Sequence, residues 1–317
     1  MGEPIIHVDG QPLDRRPAVG LAMVGAAAIL FGLNGTVSKV VLESGLSSLQ
    51  LTQARSIGAA LGFALILAVT APVRLRVGLR ELPFLIVFGI TGVAFVQWFY
   101  FLSIHRLPVG IALLIQYLAP LLVALWARYV FHEAVRRRIW AALALALVGL
   151  SLIVELWSDG GSELDGLGIA AALAACVAYA VYILMAERGV RTRDPISLSA
   201  YGFAFAALFW LLVSPLWAFP FETLDDNVSL LGNLEGSELP VWLLVAFVVL
   251  VGTMTTFALI VSALRHVSAT RVGIVAMLEP VAAAVVAWAW LGETLGPTQL
   301  AGGGIVLAGI VLAQTAR

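Results

Sequence analysis

Two stretches decide the reading of this chain: LAPLLVALWARYVFHE at 118–133 and LEPVAAAVVAWAWLGE at 278–293. They lie 160 residues apart and align without gaps. Tyr117-Leu118-Ala119-Pro120 falls on Met277-Leu278-Glu279-Pro280, and His132-Glu133 falls on Gly292-Glu293. In both, a glutamate follows the proline by 13 residues and ends the apolar run. The register extends outward, with Gly92 on Gly252 and Gly149 on Gly309. With a shift of 148, Gly20 falls on Gly168 and Phe31-Gly32 on Tyr179-Ala180. The chain therefore reads as one helical unit written twice.

Composition says where such a unit lives. Of 317 residues, 18 are basic and 19 acidic, so 12% are charged while 61% are hydrophobic. The mean hydropathy is +1.01. An ordinary soluble domain carries about 25% charged residues. This chain could not cover a soluble exterior, which excludes a soluble enzyme. A net charge of −1 supplies no basic field for nucleic acid. The apolar residues come in long runs rather than in the alternation of a β-barrel, which points to a polytopic helical membrane protein. The single Cys176 sits in an apolar run and permits no intrachain disulfide. The segment Met1–Arg16 carries three acids, and the first apolar run, Ala18 to Leu42, is too long for a cleaved signal. That run is expected to stay as a span.

Ten spans are expected, at 18–42, 49–70, 82–104, 108–131, 138–157, 166–187, 196–219, 240–264, 270–291 and 298–315. The basic residues test the count. With the N-terminus inside, 15 of the 18 fall in cytoplasmic segments: Arg15, Arg16, Arg74, Arg76, Arg80, Arg128, Arg136, Arg137, Arg138, Arg188, Arg191, Arg193, Arg265, Arg271 and Arg317. External loops hold only Arg106, and Lys39 and Arg55 lie inside spans. Basic residues resist translocation, so the bias places both termini in the cytoplasm. The long external loop 220–239 holds five acids and no base. Its Asn227-Val228-Ser229 sequon reads as a chance match. Five spans per copy is an odd number, so the second copy enters from the opposite side. The expected fold is an all-α membrane protein of ten transmembrane helices in two inverted five-helix repeats. Residues 1–17 form a cytoplasmic tail, 18–157 the first repeat and 166–315 the second.

Ten spans, two halves and the paired proline motifs of spans 4 and 9 resemble the EamA-type transporters of the drug/metabolite transporter superfamily. The resemblance covers about 18–315 and leaves out the tail and the loop 220–239. It implies a bacterial inner-membrane exporter or permease of small metabolites, often amino acids. It also implies a central cavity lined by spans 1, 3, 4, 6, 8 and 9.

Three charges lie within spans: Lys39, Arg55 and Glu279. An intramembrane charge costs about 2.5–3.5 kcal/mol on insertion scales, so it should face a cavity or a partner. Glu279 is the only acid deep in a span, and two roles stay open: a proton-coupling or amine-binding carboxylate, or a structural acid bonded to backbone. Arg55 either meets a substrate carboxylate or holds a neighbouring helix. Lys39 sits near the external face and is expected to snorkel. Asn34, Gln97, Tyr100, Gln116, Tyr117, Tyr179 and Tyr182 form a polar and aromatic set suited to an amphipathic solute, with interhelical bonding as the alternative. Pro120 and Pro280 each free the carbonyl four residues earlier and are expected to kink spans 4 and 9. Those kinks either line the route and serve gating or are static. Glu133 and Glu293 are expected at helix ends, and Trp288 and Trp290 as interface anchors.

The functional expectation is a secondary transporter working by alternating access, exporting amino acids or similar solutes. Its partners are the small-molecule substrate and the bilayer, with proton coupling open and the oligomeric state unspecified. No GxxxxGK[ST] loop is present for ATP. A nucleotide-sugar or sugar-phosphate carrier would need more cavity bases than Arg55 and Lys39. A membrane-embedded enzyme would need chemistry that HExxH, GxSxG or paired intramembrane carboxylates supply, and the sequence has none of these. His7, His105, His132 and His266 suggest no metal cluster. No catalytic residue, metal or cofactor is expected.

Overall fold

The computed structural model describes residues 7–8, 11–12, 16–104, 106–107, 109–132, 134–154, 165–292, 294 and 296–315. Most of the N-terminal tail with Arg15, and His105, Glu133, Glu293 and Arg317, lie outside the described residues.

The chain is nearly all helical. Its helices are α1 (Pro17–Glu43), α2 (Ser48–Thr70), α3 (Leu82–Val87), α4 (Phe95–Ile104), α5 (Val109–Gln116), α6 (Ala119–Tyr129), α7 (Arg137–Ile153), α8 (Gly166–Gly189), α9 (Pro195–Val213), α10 (Val241–Val249), α11 (Thr256–Ala263), α12 (Ala269–Ala276), α13 (Leu278–Val286) and α14 (Pro297–Thr315). Their starts are written locally. Pro17 and Pro195 occupy first-turn positions that need no N–H. Ser47 and Gln50 form a reciprocal cap at α2, while Asp165 and Asp194 cap α8 and α9 through the backbone N–H of Gly168 and Ser197.

Eight continuous helical stretches among the described residues are long and apolar enough to cross a membrane. They are α1, α2, Leu82–Ser103, Ile111–Tyr129, α8, α9, Val241–Ala263 and Ala269–Leu291. The chain is thus a multi-pass membrane protein. The remaining two expected spans, 138–157 and 298–315, overlap α7 and α14, and neither is long and apolar enough among the described residues to count as a further crossing. At 1.5 Å per residue, the 17 residues of α7 rise only about 26 Å.

Three of these stretches contain a widened π-turn: Phe88–Ala94 between α3 and α4, Leu250–Thr255 between α10 and α11, and Ala287–Leu291 after α13. The first two occupy repeat-equivalent places. Gly92 and Gly252, 160 residues apart, lie in these turns. Threonine hydroxyls take up carbonyls there: Thr91 donates to Val87 O at 2.6 Å and Thr253 to Val248 O at 2.8 Å. Spans 4 and 9 are each interrupted by a short turn just before the proline. Helix α5 ends at Gln116 and α6 begins at Ala119, and α12 ends at Ala276 before α13 begins at Leu278. Each proline then falls in the first turn of the new helix, where an N–H would have no intrahelical partner.

Packing crosses between the halves in a pattern that survives their exchange. Helix α1 packs on α11, α12 and α13, while α8 packs on the Phe88–Ala94 turn, α4, α5 and α6. Helix α2 packs on α9, and α7 on α14. The α7–α14 pair needs glycine. A Cβ on Gly149 would come within 2.6 Å of Gly302 O, and one on Gly309 within 2.9 Å of Ala142 O. These two contacts are related by the 160-residue shift.

The ends of the bundle are held differently. At one end, Val228 and Leu230 of the loop after α9 join Val37, Val40, Val41 and Leu244 in a second apolar core. Residues 227–229 and 238–240 pair as an antiparallel hairpin there. The Trp290 indole donates to Leu230 O at 2.7 Å, and Asn233 Nδ2 donates to Ala289 O at 3.1 Å. Trp290 is therefore a tether for this loop and not the interface anchor expected, whereas Trp288 is exposed. At the other end, Arg193 gathers the segment after α2. It donates to Glu81 Oε2 at 2.6 Å, Arg76 O at 3.0 Å, Arg74 O at 3.2 Å and Ser197 Oγ at 2.6 Å, and lies over the Tyr201 ring. Segments that the arginine distribution assigns to the same side thus meet one another.

Candidate functional site

The site grows from the two broken helices. Glu279 stands in the first turn of α13, directly after the break at Met277. Tyr117 stands at the other break, between α5 and α6. Helices α6 and α12 pack together, with Gly273 against Pro120, and this brings the two interruptions side by side. The Tyr117 phenol and the Glu279 carboxylate are neighbours across these interruptions. Broken helices at membrane depth are tolerated where they are buried in protein or line a cavity, and discontinuous helices build the binding sites of many carriers.

Arg55 enters from α2. Its Nε donates to Thr253 Oγ1 at 3.0 Å, and that hydroxyl in turn donates to Val248 O at 2.8 Å across the π-turn. Arg55 and Glu279 lie within each other's electrostatic field, yet no ion pair joins them. Tyr100 of α4 and Tyr179 of α8 also lie within the field of Glu279. Glu279, Arg55, Tyr100 and Tyr179 are all half-buried. One acid, one base and three phenols from five chain segments are thus brought together within the bundle.

A second layer supports the first. Tyr182 is buried and stacks on Tyr179 (6.3 Å between centroids, 9° between planes) and on Phe88. Its backbone presses on Gly92. The Asn34 side chain of α1 presses on Gly252. Asn34 and Tyr182 are related by the 148-residue shift, so two different side chains occupy equivalent places. Gln97 Nε2 donates to Val93 O at 3.3 Å. The Asn34, Gln97 and Gln116 amide oxygens and the Tyr182 hydroxyl are buried without a hydrogen-bond partner among the described residues. Buried polar atoms of this kind ask for an explanation, and a polar solute or water in the adjoining space is one.

Of the residues singled out from sequence, the fold brings Arg55, Tyr100, Tyr117, Tyr179 and Glu279 together. Gln97 and Tyr182 lie behind them, and Asn34 occupies the equivalent place in the other half. Pro120 and Pro280 mark the breaks. Lys39 is exposed near the end of α1. Sequence reading missed Thr253, which seats Arg55. Its signal was present: Thr253 replaces Val93 at the repeat-equivalent position, a polar group where its twin is apolar.

The profile of the EamA-like transporter family matches the chain twice, over 18–155 and 166–315. The threonine/homoserine exporter RhtA of Escherichia coli is 31% identical over 250 residues, which is 78% of this chain and 77% of that one. An uncharacterized transporter of Archaeoglobus fulgidus is 29% identical over 298 residues, 91% of this chain and 96% of its own. A solved crystal structure superposes with a TM-score of 0.73 at 19% identity, covering 93% of this chain and 96% of that one, which shows the shared fold. Two matches that together span almost all of the helical region, with relatives of this likeness, make the chain a member of the EamA-like transporter family.

Proposed function

We propose that this transporter is a secondary exporter of amino acids or closely related small amphipathic solutes across a bacterial inner membrane. Both termini face the cytoplasm, and the ten helices form two inverted five-helix repeats, 18–157 and 166–315, that rock about the site between them. The duplicated family match and the exchange symmetry of the packing support this architecture. The arginine bias of the loops supports the orientation.

The observation that carries the substrate class is the separation of Arg55 from Glu279. Two opposite charges drawn into one space without closing on each other match a zwitterion. Arg55 takes the carboxylate, Glu279 takes the ammonium, and the tyrosines supply hydroxyls and apolar ring faces. Once the solute is bound, both intramembrane charges are paired, which offsets the cost of holding them there. The printed name of the Escherichia coli relative, a threonine/homoserine exporter, fits this class.

Counterflow of labelled amino acids into proteoliposomes holding only this protein tests the reading, run with and without a proton gradient. Threonine, homoserine or a similar zwitterion exchanges, Glu279→Gln abolishes the exchange and Arg55→Gln weakens it. Absence of flux across a broad amino-acid panel overturns the substrate class. If Glu279→Gln leaves both the flux and its pH dependence intact, the carboxylate has no part in binding or coupling.

A further inference from the structure

Away from the central site, the arginine-rich end of the bundle carries a cavity of about 270 Å³ between the segment before α3 and the α8–α9 turn. Its rim holds Arg80 and Arg188, its inner corner Arg193 and Glu81, and its wall Phe84 and Leu198. The charges are not equivalent. Arg193 and Glu81 satisfy each other at 2.6 Å. Arg80 and Arg188 are exposed and make no ion pair among the described residues. The cavity thus presents two unspent guanidinium groups beside an apolar wall. The surface around it is not that of a water-facing crevice. Leu79, beside Arg80, is 87% exposed, and Val87, at the end of α3, is exposed as well. Exposed aliphatic side chains next to exposed arginines mark the level where headgroups meet acyl chains.

We propose that this cavity is a binding site for the phosphate of an anionic phospholipid headgroup. Arg80 and Arg188 grip the phosphate oxygens, for which the guanidinium fork is suited. Phe84, seated on the buried Leu198, packs on the glycerol and the first acyl carbons, and the chains continue past Val87. Because Arg80 belongs to the first half and Arg188 to the second, the bound headgroup ties the two halves together beside the Arg193 clamp. The site is independent of the central Arg55–Glu279 space and of the substrate assigned to it.

The test uses the full-length protein in detergent, with thermal melting followed during titration with phosphatidylglycerol, phosphatidylcholine or inorganic phosphate. Phosphatidylglycerol raises the melting temperature saturably, and phosphatidylcholine does not. At about fivefold per basic residue near a membrane surface, Arg80→Gln/Arg188→Gln weakens that response about 30-fold. Arg137→Gln/Arg138→Gln, which removes two arginines elsewhere on the chain, leaves it intact. An equal response to both lipids, or an equal loss in both double variants, overturns the site. A saturable response to inorganic phosphate that matches phosphatidylglycerol and vanishes in Arg80→Gln/Arg188→Gln overturns the lipid source, because the acyl chains then add nothing.

Discussion

The supporting helix contacts and the central site obey opposite rules. In the scaffold the two halves repeat each other residue for residue. Gly149 meets Gly302 and Val306, and 160 residues on, Gly309 meets Ala142 and Ala146. Gly20 faces His266 and Val267, while Gly168 faces Arg106 and Leu107. In the central site the repeat fails. Glu279 has Ala119 as its counterpart, Tyr117 has Met277, and Thr253 has Val93. Close backbone approach makes the same demand wherever it occurs, a side chain of nearly zero size, so duplication preserves it. On the function proposed above, a solute with a positive and a negative end makes different demands on the two halves, which accounts for the divergence.

The largest expected effect comes from making the site symmetric. Glu279→Ala with Ala119→Glu moves the acid to its repeat-equivalent place. If the asymmetry matters, counterflow is not restored relative to Glu279→Ala alone, and equal restoration would break the comparison. Arg55→Gln removes a charged hydrogen-bond donor worth about 1.5–3 kcal/mol, so apparent substrate affinity falls about 10- to 150-fold in the same assay. On the scaffold side, Gly149→Ala forces α7 and α14 apart and destabilises the protein by about 1–3 kcal/mol in a reversible unfolding titration. Gly309→Ala, with 0.3 Å more room before its nearest backbone oxygen, costs less. Equal costs would show that the helix pair relaxes freely. Arg193→Ala lowers stability while leaving apparent substrate affinity unchanged, because its partners all lie at the end of the bundle.

The smallest effect is at Asp165, which caps α8. The backbone N–H of Gly168 and then the guanidinium of Arg106 hold its carboxyl below the usual range. A depressed native value means that its stabilisation is present above about pH 3.9, the unfolded value, and is lost as pH falls through the native one. Asp165→Asn therefore melts slightly lower than the parent at neutral pH, and the difference closes in acid.

Much of this was legible from residues 118–133 and 278–293. The 160-residue register predicted where glycine contacts recur, and the loop arginines predicted which segments meet at each end. Both signals are local or periodic, and both survive duplication. The three intramembrane charges were also visible, because the bilayer makes any charge conspicuous. Which tyrosines join them was not. Tyr179 and Tyr182 share a helix face, yet only Tyr179 reaches the field of Glu279, while Tyr182 turns into the aromatic stack on Phe88. The role of Trp290 was misread for a related reason: a tryptophan near a span end suits an interface anchor equally well until its N–H is seen bonded to Leu230.

The sequence alone determined that the chain lies in a membrane, that it is a duplicated helical unit, and that Glu279 and Arg55 carry a cost that something must offset. Hydropathy, charge bias and internal register are properties of the chain read in order. Only the tertiary structure decided that spans 4 and 9 are broken, that the breaks meet, and that Thr253 seats Arg55 across from Glu279 without closing the pair. Those outcomes depend on how segments far apart in sequence, such as Arg55 and Thr253 at 198 residues, pack against one another, and no local pattern encodes that distance.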